Sequence, residues 1–177
     1  MKANEILSRF TSILCKNYKN IPQNILEECQ NGKAIMSLPI DAFGCQFISY
    51  SFDTPKTDNP NDTAFPFFAA KAGVRSMCDY ILFCMSDGQF FVLLLELKLA
   101  QRQTMPQLRA GYCFAKYLVD TFNRVENYNL QPQYRLVSIS KSNFVKKRST
   151  KMKDVKYDKD NFCIFEGRTF VIKEFLK

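Results

Sequence analysis

Met77-Cys-Asp-Tyr-Ile-Leu-Phe-Cys-Met-Ser-Asp-Gly-Gln-Phe-Phe-Val-Leu-Leu-Leu-Glu-Leu-Lys98 is the stretch on which the fold turns. Two apolar runs, 77–85 and 90–98, flank Asp87-Gly88. Asp-Gly in that setting marks a β-hairpin, because both residues tolerate the positive φ angles of a tight type I′ turn. With Asp87 and Gly88 as the loop, Ser86 pairs with Gln89, and counting outward sets Asp79 directly opposite Glu96. Opposed residues place their Cβ atoms roughly 4.5–5.5 Å apart on one face of the ribbon. Lys98, two residues beyond Glu96, shares that face. Two carboxylates and an ammonium therefore converge at one end of a strongly apolar hairpin.

This convergence has two readings. It is either a structural ion cluster on a polar sheet face, or a site. Glu96 is flanked by Leu94, Leu95, Leu97 and Leu99, so both faces of its strand are expected to be buried. Charge removed from water costs several kcal/mol per ion even after relaxation, on the order of what a small domain can spare, and one lysine does not neutralise two carboxylates. A functional site supplies the missing positive charge. Carboxylates and a backbone carbonyl are hard oxygen ligands suited to Mg²⁺ or Mn²⁺. Such a metal polarises a phosphodiester and acidifies a bound water, while a lysine beside it orients that water or stabilises charge on the phosphate.

The rest of the composition points to the same substrate class. The chain has 177 residues with a formal net charge of +8, a balance that favours a polyanionic partner, nucleic acid before an acidic membrane surface. It has no His, which excludes His-dependent triads, His general bases and His–metal zinc sites. Its seven Cys form no CxxC pair and mostly fall in apolar segments, so they are expected to be reduced core thiols of a cytoplasmic protein. No apolar run approaches the roughly 20 residues a membrane span needs.

Around the hairpin, the pattern predicts one domain spanning 1–177. Asn4–Tyr18 has helical apolar spacing, and Pro22 to Gln30 reads as a second, shorter helix. Ile35–Leu38 and Cys45–Phe52 read as strands, and Asp53–Thr63 as a polar loop. Thr104–Val125 is an expected helix, opened by a capping box of Thr104 with Gln107. Tyr134–Ile139 reads as a strand, and Phe162–Phe165 with Thr169–Ile172 as a terminal hairpin turning at Glu166-Gly167. Between them, 141–159 carries eight basic residues against two Asp. The order suits an α/β or α+β sandwich around a mixed sheet.

At Asp79 and Glu96-Leu97-Lys98 the residues carry a family resemblance. An acid on one strand and Glu-x-Lys on the next, followed by a long helix and another strand, resembles the PD-(D/E)XK, or restriction-endonuclease-like, nuclease superfamily. The resemblance covers roughly 73–139 and implies that family's αβββαβ core; Cys78 stands where its motif has Pro. It implies that Asp79 and Glu96 are metal-binding acids, that the Leu97 backbone carbonyl joins them, and that Lys98 is the catalytic lysine. Many members add an acid from the first core helix. Glu27 and Glu28 are the candidates here, and Glu28 lies nearer the buried face. Gln107 is a further candidate from the helix after the motif, although the capping box accounts for it equally well.

Lys71, Arg75, Arg102 and Arg109 flank the motif and are candidate phosphate contacts. Lys146, Lys147 and Arg148 suit a loop that follows a nucleic-acid backbone. The expectation is a Mg²⁺- or Mn²⁺-dependent endonuclease acting on DNA more readily than RNA, with no membrane partner and with a homodimer as one arrangement. The alternatives are a nucleic-acid-binding or protein-interaction module that retains the nuclease fold without turnover, and an RNA-directed nuclease.

Overall fold

Both faces of the central hairpin are buried, and the architecture follows from that. The computed structural model describes residues 3–30, 33–52, 65, 71, 73–99, 103–141 and 155–177. Strands β1 (Ile25–Gln30) and β2 (Lys33–Asp41) form an antiparallel ribbon, and β3 (Gln46–Tyr50), β4 (Tyr80–Ser86) and β5 (Gln89–Lys98) follow. The chain then runs through β6 (Gln133–Lys141), β7 (Phe162–Gly167) and β8 (Phe170–Val171). Helix α1 (Ala3–Ile13) precedes β1, and helix α2 (Met105–Glu126) joins β5 to β6. The described strands make a five-stranded sheet in the order β3-β4-β5-β6-β7 and a small sheet in the order β1-β2-β8. Both sheets are mixed: β3, β4 and β5 run antiparallel, β5, β6 and β7 parallel, and β8 joins β2 in parallel. A mixed α+β class is thus observed.

Two cores sandwich the large sheet. On one face Ile81, Phe83, Val92 and Leu94 meet Phe10 of α1 and Leu108, Val119 and Phe122 of α2. Phe10 stacks on Phe122 with ring centroids 4.3 Å apart, which ties the two helices together over the sheet. On the other face Leu82, Leu93, Leu95 and Leu97 meet Leu26 of β1, Leu38 of β2 and the C-terminal Phe170 and Phe175. A strand covered on both faces reads as a continuous apolar run rather than an alternation, which explains Phe90–Leu95.

The hairpin forms in the expected register. Ser86 pairs with Gln89 and the ladder continues to Tyr80 opposite Leu95. Asp87 and Gly88 take φ values of 50° and 78°, the left-handed region their side chains allow. Helix α2 matches its expected span to within a residue or so. It ends where Asn127 adopts φ 51° and Tyr128 N–H donates to Asn123 O at 2.9 Å.

Three expectations are corrected. The segment from Pro22 to Gln30 contains strand β1, not a helix. So short a segment is a marginal helix on its own, and the exposed edge of β2 offers it backbone partners while Leu26 enters the core opposite Leu38. Gln23 fixes its entry: its amide accepts from Ser49 N–H at 2.7 Å and donates to Ser49 O at 3.1 Å. The terminal hairpin is also absent, since β8 leaves β7 after Gly167 and crosses to β2, burying Phe170, Ile172 and Phe175 in the second core. Finally, Thr104 stands before α2 without a side-chain capping hydrogen bond, and Gln107 Oε1 is buried without a partner, so the capping box does not form. The polar loop at Asp53–Thr63 lies outside the described residues.

Four of the seven free cysteines are buried (Cys45, Cys78, Cys84 and Cys163) and three are exposed. Burial pushes the Cys84 thiol well up, the behaviour of a small core hydrophobe. Among the described residues no helix is long and apolar enough to cross a membrane.

Candidate active site at the end of the hairpin

The ladder between β4 and β5 gives way at the position where its backbone pairs would be replaced by side chains. One step beyond Tyr80, Asp79 N–H donates to Glu96 Oε2 at 3.3 Å. In return Leu97 N–H donates to Asp79 Oδ2 at 2.6 Å. Each acid is thus held by the backbone of the opposite strand. Lys98 Nζ closes the group at 2.7 Å from Glu96 Oε1. Asp79, Glu96 and Lys98 therefore converge, as the hairpin register required.

A fourth charge comes from the other layer. Glu28 on β1 places Oε1 at 3.9 Å from Lys98 Nζ, and its Oε2 is buried with no hydrogen-bond partner among the described residues. Glu28 was favoured over Glu27 on helical grounds. The segment is a strand, and alternation decides the facing: Glu28 shares the inward face of β1 with buried Leu26, while Glu27 is exposed.

Electrostatics follow from this crowding. Glu96 is 1% exposed. Burial, then the charge of Asp79, push its carboxyl up to about 7 against the opposing pull of Lys98. Burial works against the Lys98 ammonium, but the hydrogen bond it donates to Glu96 and the charges of Asp79, Glu96 and Glu28 outweigh it, so its pKa is raised overall. Three carboxylates facing one ammonium leave the group short of positive charge whenever all are ionised. A divalent cation would correct that deficit, and Glu28 Oε2 is an oxygen with no other partner. The donor chemistry therefore fits Mg²⁺ or Mn²⁺. Among the described residues, however, no group of three or more Asp, Glu, Cys or His side chains is already gathered tightly enough to hold an ion. Lys98 stands against both Glu96 and Glu28 and serves as their counter-ion.

No protein-family model, curated protein or solved structure matches this chain.

The basic candidates are placed less closely. Lys71 is exposed and Arg75 half-buried in the turn that leads into β4, where Val74 N–H donates to Lys71 O at 3.1 Å. Arg109 on the first turns of α2 is exposed and faces Asp160 at 3.6 Å. An exposed pair of this kind is worth roughly 0–1 kcal/mol. Arg102, Lys146, Lys147 and Arg148 lie outside the described residues. Gln107 starts α2 with its buried, unpartnered Oε1.

Two features escaped the sequence reading. Ser138 and Ser140 on β6 lie in register beside Glu96 and Lys98, and both are buried. Their signal was present: Ser-Ile-Ser alternates small polar residues with core residues in a strand otherwise apolar at those depths. Tyr80 is the second. Its hydroxyl accepts from Glu27 N–H at 2.9 Å and donates to Glu27 O at 2.8 Å.

Proposed function

We propose that this protein is a metal-dependent nuclease that hydrolyses phosphodiester bonds in DNA. The observation that carries the reading is the convergence of Asp79, Glu96 and Lys98 at the buried end of the hairpin, with a third carboxylate, Glu28, arriving from another layer. The run β3, β4, β5, α2, β6 supports it, because with α1 before it, and β1 and β2 intervening, it is compatible with the αβββαβ order that the resemblance implies. A net charge of +8 supports a polyanionic substrate.

Asp79, Glu96 and the Leu97 carbonyl would hold Mg²⁺ or Mn²⁺, with Glu28 as a further oxygen ligand. Such an ion, when bound, polarises the phosphodiester and lowers the pKa of a bound water. The chain's own residues do the rest. Backbone N–H groups at Asp79 and Leu97 fix the carboxylate orientations, so the acids need no reorganisation when substrate arrives. Lys98, which stands beside Glu96 and Glu28, would hold a water or a phosphate oxygen with its ammonium. The layers above and below keep Glu96 out of bulk water and strengthen each of these interactions. Lys71, Arg75 and Arg109 would contact the nucleic-acid backbone as positioning charges without reading bases.

A second reading has its own observation. Both acids cap backbone N–H groups at the sheet end, which is what purely structural carboxylates would do. On that reading the chain is a nucleic-acid-binding or interaction module without turnover. Incubation with plasmid, branched DNA and RNA in Mg²⁺, Mn²⁺ or EDTA separates the two. Cleavage of DNA that requires metal and disappears in Glu96→Ala is expected. Binding that is indifferent to EDTA, with no substrate cut in any metal, favours the module. Cutting of RNA alone moves the substrate assignment.

A further inference from the structure

We infer that Tyr80 is a positioning residue, whose hydroxyl clamps strand β1 so that Glu28 stands at the acid–lysine group. The inference deepens the metal-site reading and rests on it. Strand β1 is the edge of its small sheet, paired only with β2 among the described strands. Glu27 lies opposite Ser37, and its N–H and C=O both go to one side-chain oxygen, the Tyr80 hydroxyl, at 2.9 and 2.8 Å. In an antiparallel ladder the two backbone groups of one residue point the same way. The groups of Glu27 therefore point outward from β1, where another strand would otherwise dock. One hydroxyl satisfies both and stands in for that strand.

Sequence adjacency turns this clamp into a spacer for the site. Tyr80 follows Asp79 directly, and Glu28 follows Glu27 directly. Joining Tyr80 to Glu27 thus sets the separation between the strand that carries Asp79 and the strand that carries Glu28. The register of β1 against β2 shifts directly after Glu28, where Ile35 of β2 is the extra residue between the pairs Glu28–Met36 and Cys29–Ala34. Leu26 anchors one side of Glu28 in the second core, and the Tyr80 clamp fixes the backbone between them. Tyr80 is 6% exposed, with its ring in that core, so phenylalanine would keep the packing and remove the hydroxyl alone.

The test uses the full chain, wild type against Tyr80→Phe, Glu28→Gln and the double variant, with Mn²⁺ binding measured by titration calorimetry. Outer groups that orient a metal ligand typically contribute roughly 10–100-fold in affinity, and a loss in that range is expected for Tyr80→Phe. In the Glu28→Gln background the same change is expected to cost little more, because both substitutions remove one ligand's contribution. Equal affinity in wild type and Tyr80→Phe, or two losses that simply multiply, overturns the assignment. Amide hydrogen exchange on metal-free protein provides an independent arm. Glu27 N–H is expected to exchange about tenfold faster in Tyr80→Phe, the order of a lost hydrogen bond of about 1 kcal/mol or somewhat more, with β4 and β5 protected as in wild type. Unchanged protection at Glu27, or a loss spread through every strand, also overturns it. Wild type that binds Mn²⁺ no more tightly than Glu96→Gln refutes the metal site itself, and the exchange arm still decides whether Tyr80 holds β1.

Discussion

At the residue scale, Glu96 concentrates the chemistry because it is an acid kept where acids are costly. Its carboxyl is raised from near 4.5 to about 7 by burial and by Asp79. The native protein therefore holds a proton on Glu96 that the unfolded chain releases. Stability is expected to fall as pH rises from about 4.5 to about 7 and to level off above. Glu96→Gln removes that dependence, so its denaturation midpoint is expected to gain on wild type across the same window; parallel pH profiles would contradict the raised value. A second residue-scale prediction concerns Gly111 of α2. A Cβ there would lie 2.3 Å from Cys78 Sγ and 3.1 Å from Leu94 Cδ2, so the helix can approach β4 only with glycine at this point. Overpacking of this kind typically costs about 1–3 kcal/mol. Gly111→Ala is expected to be destabilised by that much in urea, and Cys78→Ala to recover part of the loss. Because Cys78 precedes Asp79, cleavage by Gly111→Ala is expected to fall more than cleavage by an equally destabilised variant of the distant Phe175.

At the scale of elements, the hairpin is over-determined and β1 is not. The Asp87-Gly88 turn and the apolar faces specify the same pairing, so local and tertiary preferences agree. Gly88 lies at φ 78° with open space around its Cα. Gly88→Val is expected to cost about 1 kcal/mol through backbone strain alone, read as a lower denaturant midpoint with an unchanged m-value. Cleavage should persist, since two cores hold the register and a slip would turn every side chain of β5 over. Strand β1 contrasts with this. Its spacing is compatible with a short helix, and the competition is decided by the neighbouring β2 together with two distant partners, Ser49, which holds Gln23, and Tyr80, which holds Glu27. The same holds for β8, whose partner lies 130 residues upstream at Ile40 and Asp41. The absent capping box at Thr104 shows that a fitting motif still needs its side chains free to turn toward the backbone.

At the scale of the whole molecule, three layers explain why a charged group is tolerated at all. Helices cover one face of the large sheet and the β1-β2-β8 sheet covers the other, so the acids gather at the end of the central strands. The basic balance belongs to this scale as well. If the +8 charge serves a DNA partner, the logarithm of binding affinity is expected to fall linearly with the logarithm of salt, at about 0.9 per phosphate contacted. Filter binding across a salt series measures that slope. Replacing Lys71 and Arg109 with Ala together is expected to make it shallower by about 1–2. A salt-independent affinity would instead point to an uncharged partner and to the module reading.

What the sequence by itself determined is whatever a short segment can specify without help. That includes the hairpin and its register, helix α2, and the meeting of Asp79, Glu96 and Lys98, because a two-residue turn fixes which residues face each other. Only the tertiary structure decided that 25–30 is a strand, that the C-terminal segment crosses to β2, and that Glu28, Ser138 and Tyr80 stand around the acids. Those placements depend on contacts with distant segments, the second core and Tyr80 for β1 and the edge of β2 for β8, which exist only once the layers have packed.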